Sequence, residues 1–224
     1  EYNVKIFKKT FLNQIPSENL SEYKDKYYGV GFQFISQPIQ FLIKDLVKSI
    51  NQSGTISVDD YGAKLISKHF VVFLFFFISG LLFYLILKKI IDNEVFLSVS
   101  SLVYLLYPYL FGHALFNPKD IPFLTCWMLC SYLSLKILEK YLVKTEVSFF
   151  HVFVVALSTA YLISIRVSGI LIFLQYFLSF LILFNIKDKN LNLINFENFK
   201  KFIFFLISTI LLIYILFPYI WQNP

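Results

Sequence analysis

Residues 70–87 read FVVFLFFFISGLLFYLIL, an apolar run without one charged side chain. A helix needs roughly 17–25 such residues to cross the hydrocarbon core of a bilayer. The run lacks the alternation of polar and apolar residues that a membrane strand would show. Outward from it lie five further apolar segments, at 95–111, 121–138, 149–165, 167–186 and 202–219, separated by short polar turns. Composition agrees: of 224 residues, 58% are hydrophobic, 20% aromatic and only 15% charged, too little polar surface for a soluble domain. The expected fold is an all-α integral membrane protein with about six transmembrane helices in 69–224, preceded by an extracytoplasmic loop at 1–68. The phenylalanines of 73–77 are expected to be lipid-facing bulk. The chain opens at Glu1 and closes just after an apolar run, which reads as part of a longer polytopic protein.

The lysines assign the sides. One set of turns, at 88–94, 136–146 and 187–201, carries Lys88, Lys89, Lys136, Lys140, Lys144, Lys187, Lys189, Lys200 and Lys201. The turns on the other side carry Lys119 and Arg166. Basic residues concentrate in cytoplasmic loops, so the turn at 113–120 is expected to face outward. The region 1–68 falls on that same outer side, and its lysines count for little because long loops escape the charge rule. The formal charge of +6 is dispersed around apolar segments, which points to membrane topology and away from nucleic acid. Cys126 and Cys130, four apart within a span, share a helix face and read as small packing residues.

Before the first span, Ser36-Gln37-Pro38 resembles a helix start, with Ser36 as N-cap and Pro38 in the first turn. Ile39, Leu42, Ile43, Leu46, Val47 and Ile50 follow at helical spacing. That pattern predicts an amphipathic helix, lying either in the membrane interface or against an external domain.

Three places could carry chemistry. In the turn Gly112-His113-Ala114-Leu115-Phe116-Asn117-Pro118-Lys119-Asp120-Ile121-Pro122, His113, Lys119 and Asp120 cluster at a membrane boundary, where ionisable groups are costly and often functional. Asp120 equally suits the N-terminus of the next helix, as cap or dipole partner. Arg166, in Ser164-Ile165-Arg166-Val167-Ser168-Gly169, is the only arginine in the chain. Its guanidinium fork grips phosphate or carboxylate in bidentate fashion, although a snorkelling cation would sit in the same place. Trp221, in Pro218-Tyr219-Ile220-Trp221, fits an aromatic belt or a sugar-stacking surface. Lys68-His69, at the entry to the first span, is an ordinary position for a cation, and His151 reads as structural.

With these motifs the chain resembles the GT-C superfamily of membrane glycosyltransferases, in the branch of protein O-mannosyltransferases and lipid A aminoarabinose transferases. The segments that carry the resemblance are Asp59-Asp60-Tyr61-Gly62 through Lys68-His69, Asn117-Pro118-Lys119-Asp120-Ile121-Pro122, and Ile163 to Gly169 followed by Pro218 to Trp221. The resemblance implies transfer of a sugar from a polyprenyl-phosphate donor to a lipid, glycan or protein hydroxyl. It implies a bacterial inner membrane, with the site facing the periplasm. It would make Glu1 the catalytic base of the first outer loop and Asp120 the acid of the second. Lys119, Arg166, His113, Lys68 and Trp221 would bind substrate. No cofactor is required, and a divalent metal could assist. The rival expectation is a transporter or flippase for a lipid-linked or anionic solute, hinted at by Ser98, Ser100, Ser101 and Gln175 within spans. A non-catalytic scaffold would leave the outer cluster of charge unexplained.

Overall fold

The computed structural model describes residues 29–52, 60–185 and 195–217. Among them every regular element is helical: α1 (Gly31–Gln52), α2 (Asp60–Leu87), α3 (Glu94–Leu106), α4 (Pro108–Phe116), α5 (Asp120–Leu142), α6 (Phe149–Ile165), a 3₁₀ turn (Val167–Leu171), α7 (Ile172–Asn185) and α8 (Phe196–Leu216). Three helices are long and apolar enough to cross a membrane: Gly62–Leu87, Asp120–Leu142 and Phe196–Leu216. A fourth span exists if α3 and α4 count together. The chain is thus a helical integral membrane protein, with three to four candidate spans among the described residues where the sequence predicts about six.

The difference has a local cause. The segment 95–111 is not one straight helix, because α3 and α4 meet at an angle of 56°. Pro108 has no N–H to donate, and its ring pushes the preceding residue out of the helical region. Tyr107 accordingly sits at φ −60°, ψ 116°, capping α3 at one end and α4 at the other. Phe149–Ile165 and Val167–Leu183 are shorter apolar helices, at the lower limit of spanning length.

The described residues divide into two compact units, one containing Val30–Thr125, the other Gly29 and the chain from Cys126 onward. In the first, α2 is the central element, packed by α1, α3 and α4. Tyr104 of α3 stacks on Phe76 and Phe83 of α2, with ring centroids 5.8 and 4.7 Å away. Its hydroxyl shares a 2.9 Å hydrogen bond with Ser79. Thr125, in the second turn of α5, donates to the carbonyl of Phe75 at 2.9 Å. Phe75 and Phe76 are therefore core residues, and Phe76 is only 1% exposed. Only part of the phenylalanine run faces outward, through Phe73 and Phe77, because a 3.6-residue period cannot turn five consecutive side chains to one side.

Helix α1 starts at Gly31, earlier than the Ser36-Gln37-Pro38 pattern predicts. Ser36 lies inside the helix and is fully buried, so it is no N-cap, and Pro38 falls within the helix. The amphipathic expectation itself holds. Phe32 and Ser36 are buried on one flank of the apolar arc, while Ile35, Leu42 and Leu46 are exposed on the other. At the far end of α2, Glu94 clamps the turn into α3, accepting from Lys88 Nζ at 3.0 Å and Tyr84 Oη at 2.8 Å. The hydrogen bond and charge of Glu94 hold the Lys88 ammonium above the usual lysine range. Asn93 Oδ1 caps α3 by accepting from Phe96 N–H at 3.0 Å.

In the second unit, α6 packs on α8 and on the 3₁₀ turn. Ala156, Ala160 and Ser164, spaced four apart, are fully buried, and Ser208 and Thr209 of α8 are buried as well. Small residues on such a stripe let two helix backbones approach closely where no water drives association. Gly29 lies against this core: a Cβ there would strike the Ser164 carbonyl oxygen and the Phe217 ring.

Candidate functional site

The outer turn is organised by a residue that the charge pattern did not single out, Asn117. It is the C-cap of α4, with its N–H bonded to the carbonyl of His113 at 2.8 Å. Its side-chain Oδ1 accepts from the backbone N–H of Lys119 at 3.1 Å and of Asp120 at 3.0 Å. Those two donors dictate which end of the amide is oxygen, so Nδ2 must face the other way. Nδ2 meets Asp120 Oδ2 at 2.9 Å and His113 Nδ1 at 3.0 Å. Because the amide nitrogen can only donate, His113 Nδ1 accepts and its ring proton resides on Nε2. The ring is further held by Tyr109 and Phe116, with centroids 4.5 and 5.5 Å away.

The turn thus unites His113, Asn117 and Asp120 through side chains, and Lys119 through its backbone. The Asp120 carboxylate is exposed, while His113 and Lys119 are half-buried. The geometry of Asp120 is open to both readings. It opens α5 as the acidic residue of the first turn, where the helix dipole favours a negative charge. It is also an exposed carboxylate oriented by a fixed amide donor. The signal for Asn117 was present in the sequence: Asn before Pro, just ahead of a helix, is a side-chain turn pattern. Gly112 has no such role, since a Cβ there would meet nothing within 4 Å.

Lys68 is half-buried in α2, inside a helix that starts at Asp60. Arg166, in the second unit, links α6 to the 3₁₀ turn in an extended conformation, φ −146°, ψ 134°, and is half-buried. Its carbonyl accepts from Gly169 N–H at 2.9 Å. Gly169 is buried where a Cβ would lie 3.1 Å from the Ile163 backbone, so the Arg166-Val167-Ser168-Gly169 motif is shaped by a close approach of the chain to α6. Glu1 and Trp221 lie outside the described residues, as do Asp59 and the 1–28 part of the N-terminal region. Among the described residues, no three of His, Cys, Asp and Glu come together as a metal site.

Of the polar residues within spans that suggest a transporter, Ser98, Ser101 and Gln175 have partners. Ser98 and Ser101 donate to the carbonyls of Glu94 and Leu97, one turn back on their own helix. Gln175 of α7 accepts from Trp127 Nε1 of α5 at 3.0 Å, and its Nε2 donates to Ser131 Oγ at 2.8 Å. This is interhelical glue of the kind that membrane helices use. Gln175→Leu leaves the indole N–H without its acceptor, and is expected to destabilise the protein by about 0.5–2 kcal/mol. The readout is the thermal midpoint in detergent, and an unchanged midpoint would show that the bridge contributes nothing.

No family model, no curated protein and no solved structure matches the chain.

Proposed function

We propose that the protein is a membrane glycosyltransferase. It moves a sugar from a polyprenyl-phosphate donor to a hydroxyl of a lipid, glycan or protein, at the membrane face opposite the lysine-rich turns (the periplasmic face of a bacterial inner membrane). The observation that carries the reading is the Asn117-centred cluster. It presents an exposed, amide-oriented carboxylate, Asp120, at the end of a spanning helix, beside the backbone of Lys119 and the ring of His113. A substrate whose lipid tail lies in the bilayer delivers its phosphate and sugar to that depth.

In the proposed reaction a carboxylate takes the proton of the acceptor hydroxyl. The hydroxyl oxygen attacks the anomeric carbon, the bond from that carbon to the phosphate oxygen breaks, and the lipid phosphate leaves. One displacement inverts the anomeric centre. Asp120 is the described carboxylate suited to this role, and Glu1 is the base that the family resemblance suggests. Lys119, Arg166 and Lys68 would neutralise charge growing on the leaving phosphate, His113 would bind the sugar or the phosphate, and Trp221 would stack on the sugar. Lysine and arginine can stabilise the leaving group without a metal.

The test is transfer from radiolabelled polyprenyl-phosphate hexose or pentose by the membrane-inserted protein in proteoliposomes. Arg166→Lys keeps the charge but loses the bidentate fork, and is expected to lower transfer by about tenfold or more. A wild-type rate in that variant removes Arg166 from the site. The 56° break between α3 and α4 favours a second reading, since transporters build solute sites from discontinuous helices. Solute flux across vesicles with no glycosyl product would establish the transporter and sink the transferase.

A further inference from the structure

A second site lies wholly within the second unit, at the opposite end of α5 from Asp120. The last turns of α5, the connection that follows and the first turns of α6 enclose a cleft of about 440 Å³. Its walls mix apolar and basic side chains. Leu133 and Ile137 line it from within α5, and Val154 and Val155 from within α6. Lys136 and Lys140 on α5 and His151 on α6 line it as well. Val143 and Phe150 add apolar lining beside the connection, so the cleft combines basic groups with apolar walls along its length.

We propose that this cleft binds an anionic phospholipid, its phosphate between Lys136, Lys140 and His151 and its acyl chains along the apolar walls. Lys136 and Lys140 are four apart and share a face of α5. Lys136 Nζ rests 4.8 Å above the Tyr132 ring, and Lys140 Nζ reaches the Glu146 carbonyl at 3.5 Å. These contacts engage the Lys136 ammonium with an aromatic face and the Lys140 ammonium with a neutral carbonyl. Glu139 also lines the cleft, so the rim is two lysines and a histidine against one carboxylate. Ser148 Oγ lies 2.6 Å from His151 Nδ1. With the hydroxyl donating, the ring proton is on Nε2, a donor for a phosphate oxygen. The first turn of α6 adds the positive end of its helix dipole.

The connection supports a basic rim at a backbone cost. Thr145 N–H bonds to the Lys140 carbonyl at 2.8 Å and Lys144 N–H to the Tyr141 carbonyl at 3.2 Å, the Schellman pattern that ends a helix. Its left-handed position is ordinarily glycine, yet Lys144 occupies it at φ 58°. Lys144 thus adds a cation at this end of α5, in the same connection as Glu146. A soluble phosphate would find the same cations but would leave the apolar walls of the cleft unused. Basic pockets between membrane helices on the lysine-rich side are suited to anionic headgroups.

The experiment is native mass spectrometry of the detergent-solubilised protein titrated with phosphatidylglycerol, phosphatidylcholine or glycerol 3-phosphate. Phosphatidylglycerol is expected to bind at least tenfold more tightly than phosphatidylcholine, with glycerol 3-phosphate weaker than both. The double variant Lys136→Gln, Lys140→Gln is expected to lose roughly thirtyfold in phosphatidylglycerol affinity. Lys136→Arg with Lys140→Arg should retain it, and Lys88→Gln with Lys89→Gln, which removes equal charge elsewhere, should leave it unchanged. The proposal is overturned by equal binding of the two lipids, by wild-type affinity in the glutamine pair, or by equal loss in the Lys88/Lys89 pair. Binding of glycerol 3-phosphate as tight as that of the lipid would overturn it too, by making this a soluble-phosphate pocket.

Discussion

Asp120→Asn is expected to lower sugar transfer by about 10²–10⁴-fold, the usual contribution of a positioned general base, while the protein stays folded and inserted. The substitution is informative because it changes so little else. An asparagine at 120 keeps an oxygen to accept from Asn117 Nδ2, the 2.9 Å contact of the native turn, and keeps the backbone N–H that Asn117 Oδ1 accepts. What disappears is the negative charge, with its proton affinity and its attraction to the α5 dipole. The latter contributes about 0.3–1 kcal/mol, too little to unfold the helix. If the dipole role were the whole of it, transfer would survive and only the thermal midpoint would fall slightly. Asn117→Asp separates capping from positioning in the same turn. Its oxygen can still accept from Lys119 and Asp120 N–H, but it loses the donors to His113 and Asp120. That variant is expected to retain its fold and lose most transfer, with an altered pH–rate profile. Full transfer by a folded Asp120→Asn protein would end the assignment of Asp120 as base.

Gly29→Ala is expected to destabilise the protein by about 1–3 kcal/mol, the range for overpacking a filled core. The upper part of that range applies here, because the atom in the way, the Ser164 carbonyl oxygen, is backbone in the last turn of α6 and cannot rotate aside. The Phe217 ring closes the other side at 2.7 Å. Relief must come from moving Gly29 or the end of α6, two residues before Arg166. The contrast is Gly112→Ala. Gly112 sits in α4 with nothing near its missing Cβ, so alanine there should stabilise by about 0.5–1 kcal/mol through helix propensity. Thermal midpoints in detergent report both. A neutral Gly29→Ala, or equal losses at the two sites, would contradict the packing of Gly29 against α6.

The parts of the fold that were legible are those in which one residue's chemistry suffices. The run 70–87 announces a membrane helix because each residue is apolar, and α2 contains it whole. The amphipathic spacing from Ile39 to Ile50 falls within α1 for the same reason. Two errors were local and correctable. Tyr107-Pro108 carried the signal for the break between α3 and α4, and hydropathy averaging concealed it. Ser36-Gln37-Pro38 looked like a start because a cap-type residue precedes a proline, but the apolar Val30 and Phe32 upstream are buried and draw the helix back to Gly31.

In the candidate site, the sequence alone established which groups are available: one histidine, one lysine and one aspartate in a single turn, and one arginine in the whole chain. It also established a membrane-embedded helical class, since hydropathy is a property of individual side chains summed over a window. The Asn117 contacts are local, two to four residues apart, whereas only tertiary structure decided that Gln175 is tied to Trp127 and that half of the phenylalanine run is core. Those outcomes depend on directional hydrogen bonds and on which helix face meets a neighbour. Such bonds join atoms brought together by chain reversal, as between Trp127 and Gln175, and a one-dimensional pattern contains no term for them.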